Sequence, residues 1–198
     1  DQGMMDAFEE AMAAQCEVII PLRRKMVART AEFAQEKYGS ISGRPHEQFR
    51  MAYQCCVPET ADIAAFARDA LKRSRQEDMF RSGTGFGVHR EDVALTLNGR
   101  EMKVFASQGQ IRTAALSMKL AQLAVFRQET GEAPILLLDD VMSELDMTRR
   151  TRLLEEISGV QTFITCTDES DLESCRERRS YQVSMDAEGY AHIRENSA

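Results

Sequence analysis

Ile135-Leu136-Leu137-Leu138-Asp139-Asp140-Val141-Met142-Ser143-Glu144-Leu145-Asp146 is the stretch whose reading decides the fold class. Its opening aliphatic run is too short to cross a membrane and is apolar on both faces, the pattern of a central parallel strand covered by helices. Two carboxylates follow at once. They are expected at the carboxyl end of that strand, where open α/β sheets bind ligands and where a hard cation such as Mg²⁺ finds oxygen donors. A single Asp in that place also serves to cap the next helix, so position alone leaves both uses open. A second Asp pressed against the first repels it unless a cation or a proton intervenes, which asks for a chemical reason.

Working outward, Ala106-Ser107-Gln108-Gly109-Gln110 precedes an apolar segment from Ile111 to Phe126. Ile111, Ala114, Ala115, Met118, Ala121, Gln122 and Val125 recur at helical spacing, with Leu116, Leu120 and Leu123 widening the apolar surface, so a largely buried helix is predicted. At its start, Ser107, Gly109 and the unpaired N–H groups of a first helical turn form an anion site in principle. The same residues also make an ordinary helix cap.

The order of these pieces carries a resemblance. SQGQ, a buried helix, breakers at Gly131 and Pro134, an apolar strand, the doublet, Ser143-Glu144-Leu145-Asp146, a further helix, Gly159 and a second apolar run follow one another. This resembles the carboxyl half of an ATP-binding-cassette ATPase of the SMC and Rad50 type, with signature, Walker B, D-loop and switch strand in sequence. Ser107 to Arg112, Asp139-Asp140 with Ser143 to Asp146, Gln161-Thr162-Phe163-Ile164-Thr165 and Gly87-Val88-His89-Arg90-Glu91-Asp92 together look like the RecF family. The likeness is dense from about Phe80 to Asp168 and looser before that. The chain departs from the family's usual Gly-Pro-His-Arg-Asp-Asp at Val88 and Glu91. It has Thr167 where most cassette ATPases carry a switch His.

The resemblance implies an α/β fold: the C-terminal lobe of a P-loop ATPase head with an inserted or adjacent helical arm. Residues 1–80 are read as the arm and 81–198 as the ATPase part. It implies ATP and Mg²⁺ as cofactors, with Asp139 on the metal and Asp140 orienting or deprotonating the attacking water. Ser107, Gln108, Gly109, Gln110, Ser143, Asp146 and Thr167 would line the nucleotide. The signature would act in trans, closing a homodimer over ATP. The implied role is a recombination mediator at gapped DNA in repair, replication and the SOS response, with RecO- and RecR-like partners. Two other readings stand beside it: a protein-interaction module whose ATPase elements are inert, and a metal-dependent phosphodiesterase using Asp139, Asp140 and Glu144 or Asp146.

No segment fits G-x-x-x-x-G-K-[ST]; Gly83-Thr84-Gly85-Phe86-Gly87 is followed by Val-His-Arg and reads as a tight entry to a strand. The chain opens in mid-pattern at Asp1, with no signal peptide or transmembrane run. It is therefore expected to be the carboxyl half of a longer protein, inactive alone as an ATPase. Five cysteines, with Cys55 and Cys56 adjacent and no zinc-type spacing, suit reduced thiols in a cytoplasmic protein.

A net charge of −7 argues against DNA binding by this chain alone, because phosphate contacts need Lys and Arg. The basic clusters Arg23-Arg24-Lys25, Lys72-Arg73 with Arg75, Arg149-Arg150 with Arg152, and Arg176 with Arg178-Arg179 read as solvated helix faces. A DNA path composed across a dimer is the alternative.

A long helix is predicted over Asp6 to Tyr38, with Ile19, Leu22, Met26 and Phe33 as its apolar seam and a break at Pro21. A strand near Phe49 to Val57 follows, then a helix toward Arg81 with Thr60 as its N-cap. Val93, Leu95 and Leu97 lead into Asn98-Gly99, a type I′ hairpin signal, with Met102, Val104 and Ala106 alternating on the return. A closing hairpin is predicted from Tyr181 to Ile193. His46 and His192 are read as structural or exposed, and His89 alone, beside Arg90 and Asp92, carries a functional alternative.

Overall fold

A computed structural model describes residues 2–173, 175 and 178–196; Arg176 of the last basic cluster lies outside the described residues. The chain forms two compact units, residues 1–134 and 135–198. Residues 81–134 thus pack with the long helices, because the hairpin and the helix after it complete the core on which those helices rest. The boundary between compact units therefore lies elsewhere than the motif-based division at residue 80.

The spine of the first unit is α1 (Gln2–Ser42). Ala13, Cys16 and Ile20 join one core cluster with Val57 and Ala67, the last on α2 (Ile63–Arg81). Ala34 and Tyr38 join a second cluster with Phe49, Leu97, Met102, Ala114 and Ala121. The expected seam through Leu22 and Met26 is exposed instead. The expected break at Pro21 is absent, and α1 runs through it. Interior proline costs about 3 kcal/mol, but the residues around it are pinned. Ile20 is fully buried, Arg24 Nη2 donates to the Val57 carbonyl at 2.7 Å, and Arg23 pairs with Glu91 at 3.0 Å.

β1 (Phe49–Gln54) pairs antiparallel with β2 (Asp92–Leu97), Phe49 opposite Leu97 and Gln54 opposite Asp92. The Asn98-Gly99 turn forms as predicted, with φ of 52° and 76° at its two central residues. β3 is only Arg100–Glu101, and the return strand gives way to a short helix, α3 (Met102–Phe105). Met102 and Ala106 share a face at helical as well as at strand spacing, and the Ala106 N–H bonds the Met102 carbonyl at 3.0 Å. α2 is capped by Asp62, whose Oδ1 accepts the Ala65 N–H at 2.7 Å. Thr60 does not cap it, because the Ala61 N–H closes a turn on the Pro58 carbonyl and holds Thr60 inside that turn.

α4 (Gln108–Thr130) buries Thr113, Ala114, Leu116, Ser117, Leu120, Ala121 and Val125 along one face, while Ile111, Ala115 and Gln122 are exposed. The two buried hydroxyls bond back into the helix, Thr113 to the Gly109 carbonyl at 2.8 Å and Ser117 to the Thr113 carbonyl at 2.7 Å.

In the second unit, β4 (Leu136–Asp139) pairs in parallel with β5 (Thr162–Thr165) across the crossover helix α5 (Met147–Glu156). Leu138, Met142, Leu145, Leu153, Leu154 and Ile157 are buried. The strand was expected to be covered on both faces, but Leu137 is 72 % exposed, and Ile135 and Phe163 are also exposed. β6 (Tyr181–Met185) and β7 (Ala191–Glu195) form the predicted closing hairpin. Among the described residues no helix is long and apolar enough to cross a membrane.

Candidate active site

The end of β4 is organised by one hydroxyl. Thr165, opposite Asp139 in the parallel register, donates its Oγ1 hydrogen to Asp139 Oδ1 at 2.5 Å and accepts the Asp140 N–H at 3.0 Å. Thr165 therefore fixes one carboxylate oxygen and the turn that follows. Asp140 has φ of 52°, a left-handed conformation that Asp tolerates better than most non-glycine residues, at about 1–2 kcal/mol. Asp139 and Asp140 are both exposed, so solvent screens the repulsion between their carboxylates.

The loop after the doublet is built from local hydrogen bonds. Ser143 Oγ donates to the Asp140 carbonyl at 2.9 Å, and a 3-10 turn spans Met142–Glu144. Asp146 caps α5, accepting the Arg149 N–H at 3.0 Å, and its second oxygen lies 3.3 Å from the Arg149 guanidinium. Arg150 holds the loop from below. Its Nε donates to the Met142 carbonyl at 2.7 Å and the Leu145 carbonyl at 2.9 Å, and its Nη1 pairs with Asp171, whose side chain is 9 % exposed. The Arg149-Arg150 pair is thus more than a solvated face. Thr167 lies exposed beyond the end of β5.

In the first unit, Ser107 and Gln110 form a complete capping box: Ser107 Oγ accepts the Gln110 N–H at 3.3 Å, and Gln110 Oε1 accepts the Ser107 N–H at 2.9 Å. Gln110 Nε2 also donates to the buried Glu47 at 3.3 Å. Ser107 and Gln108 are exposed at the helix start, with Gly109 half-buried beside them.

The Gly87-to-Asp92 segment is tied into the fold by hydrogen bonds. His89 Nε2 and Arg90 Nε both meet the Thr84 carbonyl, at 3.0 and 3.1 Å. The Glu91 side chain is fully buried and accepts from Tyr53, Arg23, the Cys56 N–H and both adjacent thiols. Burial works against ionisation of Glu91, but the hydrogen bonds from Tyr53 and Cys56 outweigh it and hold its carboxyl below the ordinary range. Burial, then the Glu91 contact, pushes the Cys56 thiol up to about 12, so it stays protonated and a poor nucleophile.

The donor set at β4 suits Mg²⁺, which is commonly held by one or two carboxylates with water and phosphate completing its shell. A two-cation phosphodiesterase needs further carboxylates, and Asp146 is turned away to cap α5. Among the described residues no group of three or more His, Cys, Asp or Glu is placed to hold a metal ion.

Sequence reasoning singled out the doublet, the signature and the D-loop but missed Glu47, Arg150 and Asp171. It placed Thr165 in the switch strand without a role. Each of these acts through a partner distant in the chain, and the signal was at most a polar residue beside an apolar run.

No protein-family model matches the chain. Curated relatives do. The DNA replication and repair protein RecF of Streptococcus suis is 39 % identical over 170 residues, covering 84 % of this chain and 46 % of the relative. That of Lactobacillus delbrueckii subsp. bulgaricus is 41 % identical over 178 residues, covering 85 % and 46 %. That of Clostridium perfringens is 35 % identical over 181 residues, covering 91 % and 50 %. A solved structure of the recombination mediator protein RecF with ATPrS matches at a TM-score of 0.76 and 34 % identity, over 91 % of this chain and 48 % of that one. The RecF structure with ATP matches at 0.73 and 35 %, over 86 % and 46 %. An SMC ATPase structure at 14 % identity and a TM-score of 0.53 shares the fold. The chain spans about half the length of the relatives it matches.

Proposed function

Because the chain belongs to the RecF family over the half of the family's length that it spans, we propose that it supplies the carboxyl share of an ATP-driven, dimerising ATPase in DNA repair and replication. The observation that carries this reading is the Thr165-bridged doublet at the end of a parallel strand. It holds one exposed carboxylate fixed and places a second directly after it.

In this reading Asp139 binds Mg²⁺, which supplies neutralising charge for the β- and γ-phosphates of ATP. Asp140 orients the attacking water and takes its proton, and being shorter than the glutamate usual in cassette ATPases, it reaches less far and supports slow turnover. Ser107, Gln108 and Gly109 present a hydroxyl and first-turn N–H groups to ATP held by a second copy, so nucleotide binding builds the dimer and hydrolysis releases it. Ser143 and Asp146 shape the loop between the two sites. Gln110 serves the cap rather than the nucleotide, and no chemistry is assigned to Thr167.

DNA is the macromolecular substrate, bound across the dimer at gapped sites where RecO- and RecR-like mediators act, in the cytoplasm. A net charge of −7 favours a path that draws on both halves of the protein and on both copies over one on this chain alone. The test joins the chain to the Walker A half of the protein. Asp140→Asn is expected to lower Mg²⁺-dependent hydrolysis by about 100-fold while leaving ATP binding intact. Unchanged turnover would remove Asp140 from the mechanism.

A further inference from the structure

The signature helix is anchored by a carboxylate far away in sequence. Glu47 sits between α1 and β1, 63 residues before Gln110, and its side chain is 8 % exposed. It accepts from Gln110 Nε2 at 3.3 Å, from Tyr38 Oη at 3.0 Å and from Arg44 Nη1 at 3.1 Å. Its own carbonyl accepts from Gln35 Nε2 at 3.0 Å. Tyr38 is fully buried and stacks on Phe49 with ring centroids 5.1 Å apart. The carboxylate is therefore held from α1 and from its own loop, and the tyrosine that holds it is itself fixed against β1.

A carboxylate only accepts hydrogen bonds, so Glu47 decides which end of the Gln110 amide faces it. The nitrogen turns to Glu47, and the oxygen turns to the Ser107 N–H. With that bond made, the Gln110 N–H meets Ser107 Oγ, whose own hydrogen is left to donate outward. We propose that Glu47 is a positioning residue of the signature: through Gln110 it holds Ser107 as a hydrogen-bond donor toward a phosphate. This rests on the reading that the signature meets ATP on a second copy.

Swapping the pair tests it. Gln110→Glu sets two carboxylates against each other, whereas Gln110→Glu with Glu47→Gln restores one donor and one acceptor. Two quantities are measured: deuterium exchange of the Ser107 and Gln110 amides in this chain, and the ATP concentration that half-dimerises the protein joined to its Walker A half. Gln110→Glu is expected to raise both about tenfold, and the double variant to return both to within about threefold of the parent.

A purely local capping role predicts the opposite, because Glu is itself a usual capping-box residue and suits a helix start. A harmless Gln110→Glu, or a double variant without rescue of either quantity, overturns the proposal. Ser107→Arg separates it from the reading beneath. Should amide exchange follow the swap while Ser107→Arg leaves ATP-dependent dimerisation intact, the anchoring stands and the nucleotide reading falls.

Discussion

The signature end of α4 and the carboxyl end of β4 solve the same problem in different ways. At the start of α4 both bonds of the capping box are made, and Gln110 is held in turn by Glu47, which accepts from a buried tyrosine and an arginine. At β4 a single threonine hydroxyl organises two exposed carboxylates, and Asp140 carries a left-handed backbone. One end is rigid by redundancy. The other has Thr165 as the one side chain fixing the Asp139 carboxylate and keeps both acids exposed.

The largest expected effect probes how far the β4 end depends on support from below. Arg150→Ala removes two carbonyl contacts and strips the partner from the nearly buried Asp171, and should destabilise the second unit by about 3 kcal/mol. Urea unfolding measures it; a loss below about 0.5 kcal/mol would mean the loop is held by other contacts.

Thr165→Val is expected to cost about 1–2 kcal/mol and to free the Asp139 side chain, while the β4–β5 pairing persists. Nuclear magnetic resonance of the Asp139 carboxyl should show averaging over rotamers in the variant. A carboxyl as fixed as in the parent would show that the hydroxyl is not what organises this end.

A smaller effect belongs to the first unit. A carboxyl held below its ordinary value stabilises the fold at pH above the unfolded value, and that contribution is lost as pH falls through the folded one. Glu91 is such a group, so the first unit should weaken as pH drops below about 4, and Glu91→Gln should flatten that part of the profile. Equal acid slopes for parent and variant would remove Glu91 as the cause.

Local chemistry was readable in the residues; long-range pairing was not. Asn98-Gly99 announces its hairpin because both turn positions need positive φ, and Ser107 ahead of a helical apolar run announces a helix cap. Pro21 misled because its penalty is local while the packing of Ile20 and the anchors of Arg23 and Arg24 are tertiary. Met102 and Ala106 misled because a short apolar pattern fits two periods. Glu47, Arg150 and Thr165 stayed silent because their roles lie in partners that no spacing rule connects.

In the proposed reading, the β4 end of one copy and the signature of another form one ATP site. Mixing two inactive variants of the protein joined to its Walker A half, Ser107→Arg and Asp140→Asn, tests it most directly. Each mixed dimer then holds one site with both defects and one with neither, so the mixture should hydrolyse ATP well above the sum of the separate variants. A mixture as inactive as its components, at concentrations where mixed dimers form, would contradict the account.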